Sequence, residues 1–354
     1  MDETLQPAAP EPLRFSGKGS EYFGIWIVNL LLTLVTLGIY SAWAKVRRLQ
    51  YFYRHTTLAG SGFDYHGDPL RILVGRLLAF GMLIAYQLSV RLHSPLTLVI
   101  LVALALAVPW LLRNSFRFRL YNTSWRGMRF HFRGSVASAY RVFLLNGFLT
   151  IITLYLLVPF THQRIKAYQH DNSWFGRTAF SFHARASQFY VVYLLLFGAV
   201  ILYVVAVGAA GVFGDFIRVA GAQRQGQPVD THAMIHAFAL LYGIGIALAL
   251  LIGPLFQALI TNLVWNNTRL GEHRIECRLS PWKLLWVGIS NLGLVILTLG
   301  VYIPWATVRV AKLHAEAVRL LPASDLSEFV ADDAEDVGAL GTEAATAFDF
   351  DISL

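Results

Sequence analysis

Three asparagines lie inside long apolar stretches of this sequence: Asn29, Asn146 and Asn291. An amide held in a hydrocarbon-like setting needs a hydrogen-bonding partner, and such groups line pathways or tie helices together. Their surroundings align without gaps. Thr36, Thr153 and Thr298 follow at one common interval, then Arg47, Arg164 and Arg309. Interhelical bonding or a bend accounts for such asparagines at least as well as substrate contact does. Their equivalence by repeat nonetheless makes them the leading candidates for a pathway or substrate site. The three threonines are weaker candidates, because a Thr hydroxyl can bond its own helix backbone. Arg76, in "ILVGRLLAF", stands near the end of another apolar run, where snorkelling to headgroups competes with a substrate role.

Other chemistry finds little support. Four polar stretches each carry a histidine, at His66, His131, His183 and His273. Their offsets from a repeated glycine are six, four, seven and two residues, so they are not equivalent ligands, and neither a metal nor a cofactor is expected. Cys277 is the single cysteine, which leaves no disulfide and no cysteine cluster. There is no His-Glu-x-x-His, no Gly-x-Ser-x-Gly and no phosphate-cradling glycine loop. No catalytic residue is nominated, and an enzyme is not expected.

The elements that must hold these residues belong in a membrane. The chain has 354 residues, 56% of them hydrophobic and only 14% charged, against about 25% charged in soluble domains. Several runs exceed the ~20 apolar residues needed to cross a bilayer. Net charge is +8, yet nine acids and no Lys or Arg follow Pro322. Basic loops beside apolar runs are expected to meet anionic lipid headgroups, not nucleic acid. The acidic stretch reads as disordered, and as the place where a soluble partner would bind.

Seven hydrophobic segments are readable, at 22–43, 70–89, 95–112, 139–160, 188–209, 236–260 and 283–305. They divide the chain into an N-terminal tail (1–21), an integral membrane region (22–320) and the acidic tail (321–354). Segments one, four and seven share a phrase, "TLGIYSAWAKVRR", "TLYLLVPFTHQR" and "TLGVYIPWATVR". Within it Tyr40, Trp43, Tyr302 and Trp305 precede the cations and read as interfacial anchors. A second theme lies between the segments: "TTLAGSGFDYHG", "TSWRGMRFHFRG", "NSWFGRTAFSFH" and "NTRLGEHRIECR". Each has a glycine followed by alternation of period two, the pattern of a short half-buried strand. "LRFSG" at 13–17 reads as a shortened fifth copy. The expected fold is an α-helical polytopic membrane protein, five to seven of its segments spanning, with internal repeats and short β-strand modules between them.

"EYFGIWIVNLLLTLVTLGIYSAWAKVRRLQYFY", followed by a Gly-bearing turn, "FDYHGDP" and "LVGR", resembles the YjgN family of bacterial inner-membrane proteins. The resemblance runs from about Phe15 to Arg319. It implies a multi-pass protein of the inner membrane of a Gram-negative bacterium, and it supplies no activity and no site residues.

Charge then poses the topological question. Twenty-two Lys and Arg flank segments one, four and seven, against three in the connections 90–94 and 210–235. If all seven segments cross, those 22 are split between two faces. If segments one, four and seven are re-entrant, all can be cytoplasmic. "NGF" at 146–148 and "SNLG" at 290–293 are plausible breaks, whereas segment one has no Gly or Pro from Ile25 to Leu37 and suits a straight crossing. Solute or lipid transport is the leading functional expectation. A scaffold or sensor using the basic loops and the acidic tail is the alternative.

Overall fold

The computed structural model describes residues 9–92, 95–228, 230–326 and 329. Most of the acidic tail, at 327–328 and 330–354, lies outside the described residues.

The four glycine modules are β-hairpins: β3–β4 (Thr56–Leu58, Ser61–Tyr65), β5–β6 (Thr123–Trp125, Met128–Phe132), β7–β8 (Ser173–Phe175, Thr178–Phe182) and β9–β10 (Thr268–Leu270, His273–Cys277). Each turns over two residues. Ala59–Gly60 and Arg126–Gly127 have positive φ at both positions, while Gly176 and Gly271 have it at the first. These are the turns whose twist matches paired strands. Every hairpin then pairs antiparallel with the next, Phe63 opposite Trp125, Phe130 opposite Phe175 and Phe180 opposite Leu270. The strand β11 (Val318–Leu321) follows β10. The N-terminal chain closes the ring: β1 (Glu11–Pro12) pairs with β11, and β2 (Arg14–Phe15) pairs with β3. The result is an 11-stranded, near-closed barrel whose two edges meet at Leu13. Closure leaves almost no open edge to pair with other chains.

This overturns the expectation of five to seven spans with minor strand modules. The modules are one large sheet. Among the described residues four helices are long and apolar enough to cross a bilayer: α3 (Pro69–Arg91), α4 (Leu96–Tyr121), α8 (Ala186–Ala209) and α10 (Thr231–Asn266). A short helix, α9 (Val212–Arg224), joins α8 to α10.

The other three apolar segments fold back on themselves. Segment one is α1 (Gly19–Val35) and α2 (Ser41–Arg54), and segment seven is α11 (Pro281–Leu297) and α12 (Ile303–Ala317). Segment four is α5 (Val136–Ala139), a π-helical turn at Tyr140–Leu145, α6 (Asn146–Ile152) and the return helix α7 (Val158–Asp171). Antiparallel pairing of successive strands dictates this arrangement. A chain that leaves the barrel rim in one strand must re-enter at the same rim in the next.

The reversals are not at the expected breaks, since Gly147 and Gly293 lie within helix. They lie in the repeated phrase itself. Leu37–Gly38, Leu154–Tyr155 and Leu299–Gly300 all have positive φ. The amides of Gly38, Tyr155 and Gly300 each reach back five residues at 2.8 Å, to the carbonyls of Thr33, Thr150 and Val295. That is a Schellman-type helix stop. Hydropathy could not register it, because the turn is as apolar as the helices on either side.

Candidate functional site

At the tips of the three reversals, Leu37 is 94% exposed, Leu154 83% and Leu299 95%. A leucine in the left-handed region is strained, and one so exposed gains nothing from the protein. Lipid is the medium that rewards it. Arg47 stands six residues along α2 from Ser41, about 9 Å of helix, which is within half of the ~30 Å hydrocarbon core. The geometry suits hairpins that dip into one leaflet and return their cations to its headgroups.

The repeated threonines sit at these tips. Thr36 Oγ1 donates to Leu32 O (2.7 Å) and accepts from the Tyr40 amide (2.9 Å). Thr298 repeats both bonds, to Leu294 O (2.7 Å) and from the Tyr302 amide (3.0 Å). Thr153 donates to Leu149 O (2.9 Å). Each hydroxyl ends one helix, and in the two outer hairpins it also starts the next. Behind them the anchors repeat as stacked pairs, Tyr40 on Trp43 and Tyr302 on Trp305, with centroids 6.1 and 5.9 Å apart. Arg76 donates to Ser41 Oγ, tying α3 to the first hairpin's tip.

The asparagines do not converge on one site. Asn291 bridges its own hairpin, donating to Ala306 O at 3.2 Å and accepting from Arg309 at 2.7 Å. Asn29 is equally buried, but its side-chain oxygen has no partner among the described residues. The hairpins of Asn29 and Asn291 are neighbours, α1 packing on α12 with Phe23 against Trp305 at 5.1 Å. The middle hairpin packs on α4 and α8 instead. There Asn146 is half-buried just after the π-helical turn, which alters the helix phase, and its carbonyl accepts from Thr150 at 2.7 Å. The histidines are likewise dispersed: His66 meets Ser124 Oγ at 2.8 Å, and His273 accepts from the Ala323 amide at 3.1 Å. Among the described residues no cluster could hold a metal ion. Burial pushes the Cys277 thiol up to about 11, which keeps it protonated and unreactive.

The inside of the barrel is the feature that residue motifs miss. Its strands alternate, with Phe63, Phe130, Phe175, Leu270 and Leu320 buried within, while the neighbours Arg129, Trp174, Arg269 and Arg319 are more exposed. These inward side chains form one packed apolar cluster. They surround a cavity of about 70 Å³, lined by Leu13, Phe63, Trp125, Phe130, Phe175 and Leu270 among others. Trp125 Nε1 is turned away to the carbonyls of Leu58 (3.3 Å) and Ser61 (3.2 Å), so its contribution to the wall is apolar. The chain after β11 crosses the turn end of the barrel. There Arg126 donates to Leu326 O at 3.0 Å, and the ring of Phe329 lies 5.0 Å from Phe175 and 6.2 Å from Trp125. At the opposite rim stand the four long apolar helices and the three apolar hairpins. Only the period-two alternation hints at such an interior, and it does not show whether a cavity is left within it.

The fold and this interior define a class: a multi-span membrane protein whose membrane helices are insertions between the strands of one apolar-lined barrel. The family described as bacterial proteins of unknown function, DUF898, matches residues 10–347, and the chain belongs to this family, which takes in the YjgN proteins. It is 32% identical over 150 residues to the inner membrane protein YjgN of Salmonella typhimurium (strain LT2), covering 41% of this chain and 37% of the relative. It is 32% identical over 123 residues to the inner membrane protein YjgN of Escherichia coli (strain K12), covering 34% of this chain and 31% of the relative. The matched stretch thus spans about a third of each relative's length. No solved structure matches the chain.

Proposed function

We propose that this is a multi-pass inner-membrane protein that handles lipid-like molecules, its barrel facing the cytoplasm and taking up an apolar chain from the adjoining leaflet. The observation that carries the reading is the wholly apolar cavity, which opens within a barrel rimmed by leaflet-inserted hairpins. A polar solute would find nothing on its walls to replace lost water. The side assignment rests on charge. The 22 cations belong to the barrel, its rim and the return helices, whereas Arg91, Arg218 and Arg224 lie toward the other end of the spans. The positive-inside preference therefore puts the barrel in the cytoplasm, with anionic headgroups as partners of its basic rim. A second reading, a scaffold for a soluble partner, draws on Arg126 and His273. They hold residues 323–326 over the barrel's turns, so the acidic stretch begins at its outer end.

Tryptophan quenching by brominated acyl chains tests the lipid reading, since Trp125 forms part of the cavity wall. The protein should show saturable quenching, and the variant carrying both Trp125→Phe and Trp265→Phe, the two tryptophans of the wall, should lose the saturable component. Quenching that is identical in the two proteins would exclude chain entry.

A further inference from the structure

The three hairpins leave the barrel by the same rim as the four long helices, and their depth can be read against the helices beside them. Ser41, which opens α2 just past the first reversal, accepts a hydrogen bond from Arg76. Arg76 stands seven residues along α3 from Pro69, about 10 Å of a helix about 34 Å long. Leu156, in the second reversal, accepts from the Tyr190 hydroxyl at 3.2 Å. Tyr190 stands four residues along α8 from Ala186, about 6 Å of about 36 Å. Both of these helices start at the barrel rim, and helical side chains lean toward the helix start, so neither reach adds depth. The third hairpin shares the interval of the other two. Arg47, Arg164 and Arg309 each stand six residues from the start of α2, α7 and α12. The tips therefore stop within the nearer leaflet, where Leu34, Val35, Ile151, Ile152, Ile296 and Leu297 are exposed beside them.

The far leaflet holds less protein. There the long helices are joined by the short connection between Arg91 and Leu96 and by α9. Six hairpin arms of ~10 Å diameter add roughly 500 Å² of cross-section to the near leaflet, whereas α9 lying flat adds about 200 Å² to the far one. The hairpins are also spread over three of the long helices, α2 packing on α3, α7 on α8 and α11 on α10. We propose that the three hairpins act as a wedge, and that the membrane this protein prefers is one whose near leaflet is convex. Apolar segments inserted into one leaflet expand it, and the strain is relieved where the bilayer bulges toward the barrel. The wedge needs only the hairpins' place in one leaflet, whether or not the cavity takes a chain.

The test uses the full chain in vesicles of one lipid composition and a broad range of sizes, with a fluorophore on Arg177→Cys in a Cys277→Ser background. Protein per unit of lipid is read vesicle by vesicle, and an impermeant quencher separates barrel-out from barrel-in molecules. Barrel-out protein should be severalfold denser in the smallest vesicles than in the largest. Barrel-in protein should show the reverse, because its near leaflet is concave there. The triple variant Leu37→Asn, Leu154→Asn and Leu299→Asn should lose both trends, since polar tips no longer hold the hairpins in hydrocarbon. Asn tolerates the left-handed conformation, and the three leucines are exposed, so the fold should persist. Density that is independent of vesicle size, or that changes alike for both orientations, would overturn the wedge. A trend that survives intact in the triple variant would assign the curvature preference to the barrel or the long helices, and would overturn the role of the hairpins. Should the triple variant fail to fold, the opposed trends of the two orientations in the unaltered protein still decide the matter.

Discussion

Asn291 accepts a hydrogen bond from Arg309 at 2.7 Å, and the same interval of eighteen residues separates Asn29 from Arg47 and Asn146 from Arg164. Only the last hairpin makes the bond. Arg47 lies over the ring of Tyr40 at 5.8 Å, and Arg164 over Phe160 at 5.0 Å. One inherited pair has three local outcomes, and the difference has consequences for stability.

Asn291→Leu should lower stability by about 2 kcal/mol, because it removes a charge-assisted bond and leaves a half-buried guanidinium short of an acceptor. Asn29→Leu removes a buried carbonyl oxygen that has no partner among the described residues and should be close to neutral. Thermal unfolding of both variants in the same detergent decides the matter. Equal losses would mean that Asn29 is bonded too.

Much of this architecture was legible in the chain, but not its closure. The glycines of the four modules and the alternation after them announced hairpins, because local turn chemistry suffices to specify a hairpin. The joining of Phe63 to Trp125 or of Phe180 to Leu270 is a pairing between distant segments, and no local signal carries it. The count of spans failed for a different reason. Thr36-Leu37-Gly38 reverses the chain through backbone dihedrals while staying apolar, so a hydropathy reading runs straight through it. The asparagines stood out because a polar residue in an apolar run is conspicuous. The cavity walls did not, because Phe130 or Phe175 in a strand reads the same whether its neighbours close the space completely or leave a small cavity.

His170 gives the protein a predictable acid sensitivity. Burial, with a smaller contribution from Lys166, holds its imidazole down to about 3, far below the ordinary value of about 6.5. The folded state therefore keeps the ring neutral at pH values where the unfolded chain binds a proton. Between roughly 6.5 and 3 the unfolded state gains protons that the native state refuses, so stability is complete above that window and falls as pH drops through it. The slope from this one group is at most about 1.4 kcal/mol per pH unit. Its ring is stacked on Phe182 at 5.5 Å and 18°, so His170→Phe should retain the packing and flatten the slope. An unchanged slope in denaturation midpoints between pH 7 and pH 5 would assign the acid sensitivity elsewhere.

Sidedness governs every functional reading, and it can be measured directly. All barrel turns share one face with both ends of the three hairpins, while α9 and the loop after it belong to the other face. Cysteines introduced at Arg177, in the exposed turn of β7–β8, and at Gln225, exposed just after α9, therefore report opposite sides. The native Cys277 is buried and is first replaced by serine. With the outer membrane permeabilised, an impermeant thiol reagent should label Gln225→Cys and spare Arg177→Cys until the inner membrane is broken. The reverse pattern would put the basic rim outside, against the preference that orients most membrane proteins, and the cavity would then draw on the periplasmic leaflet. Labelling of both sites in intact inner membranes would mean that α8, the one long apolar helix between them, does not cross, although its 24 residues are enough to do so.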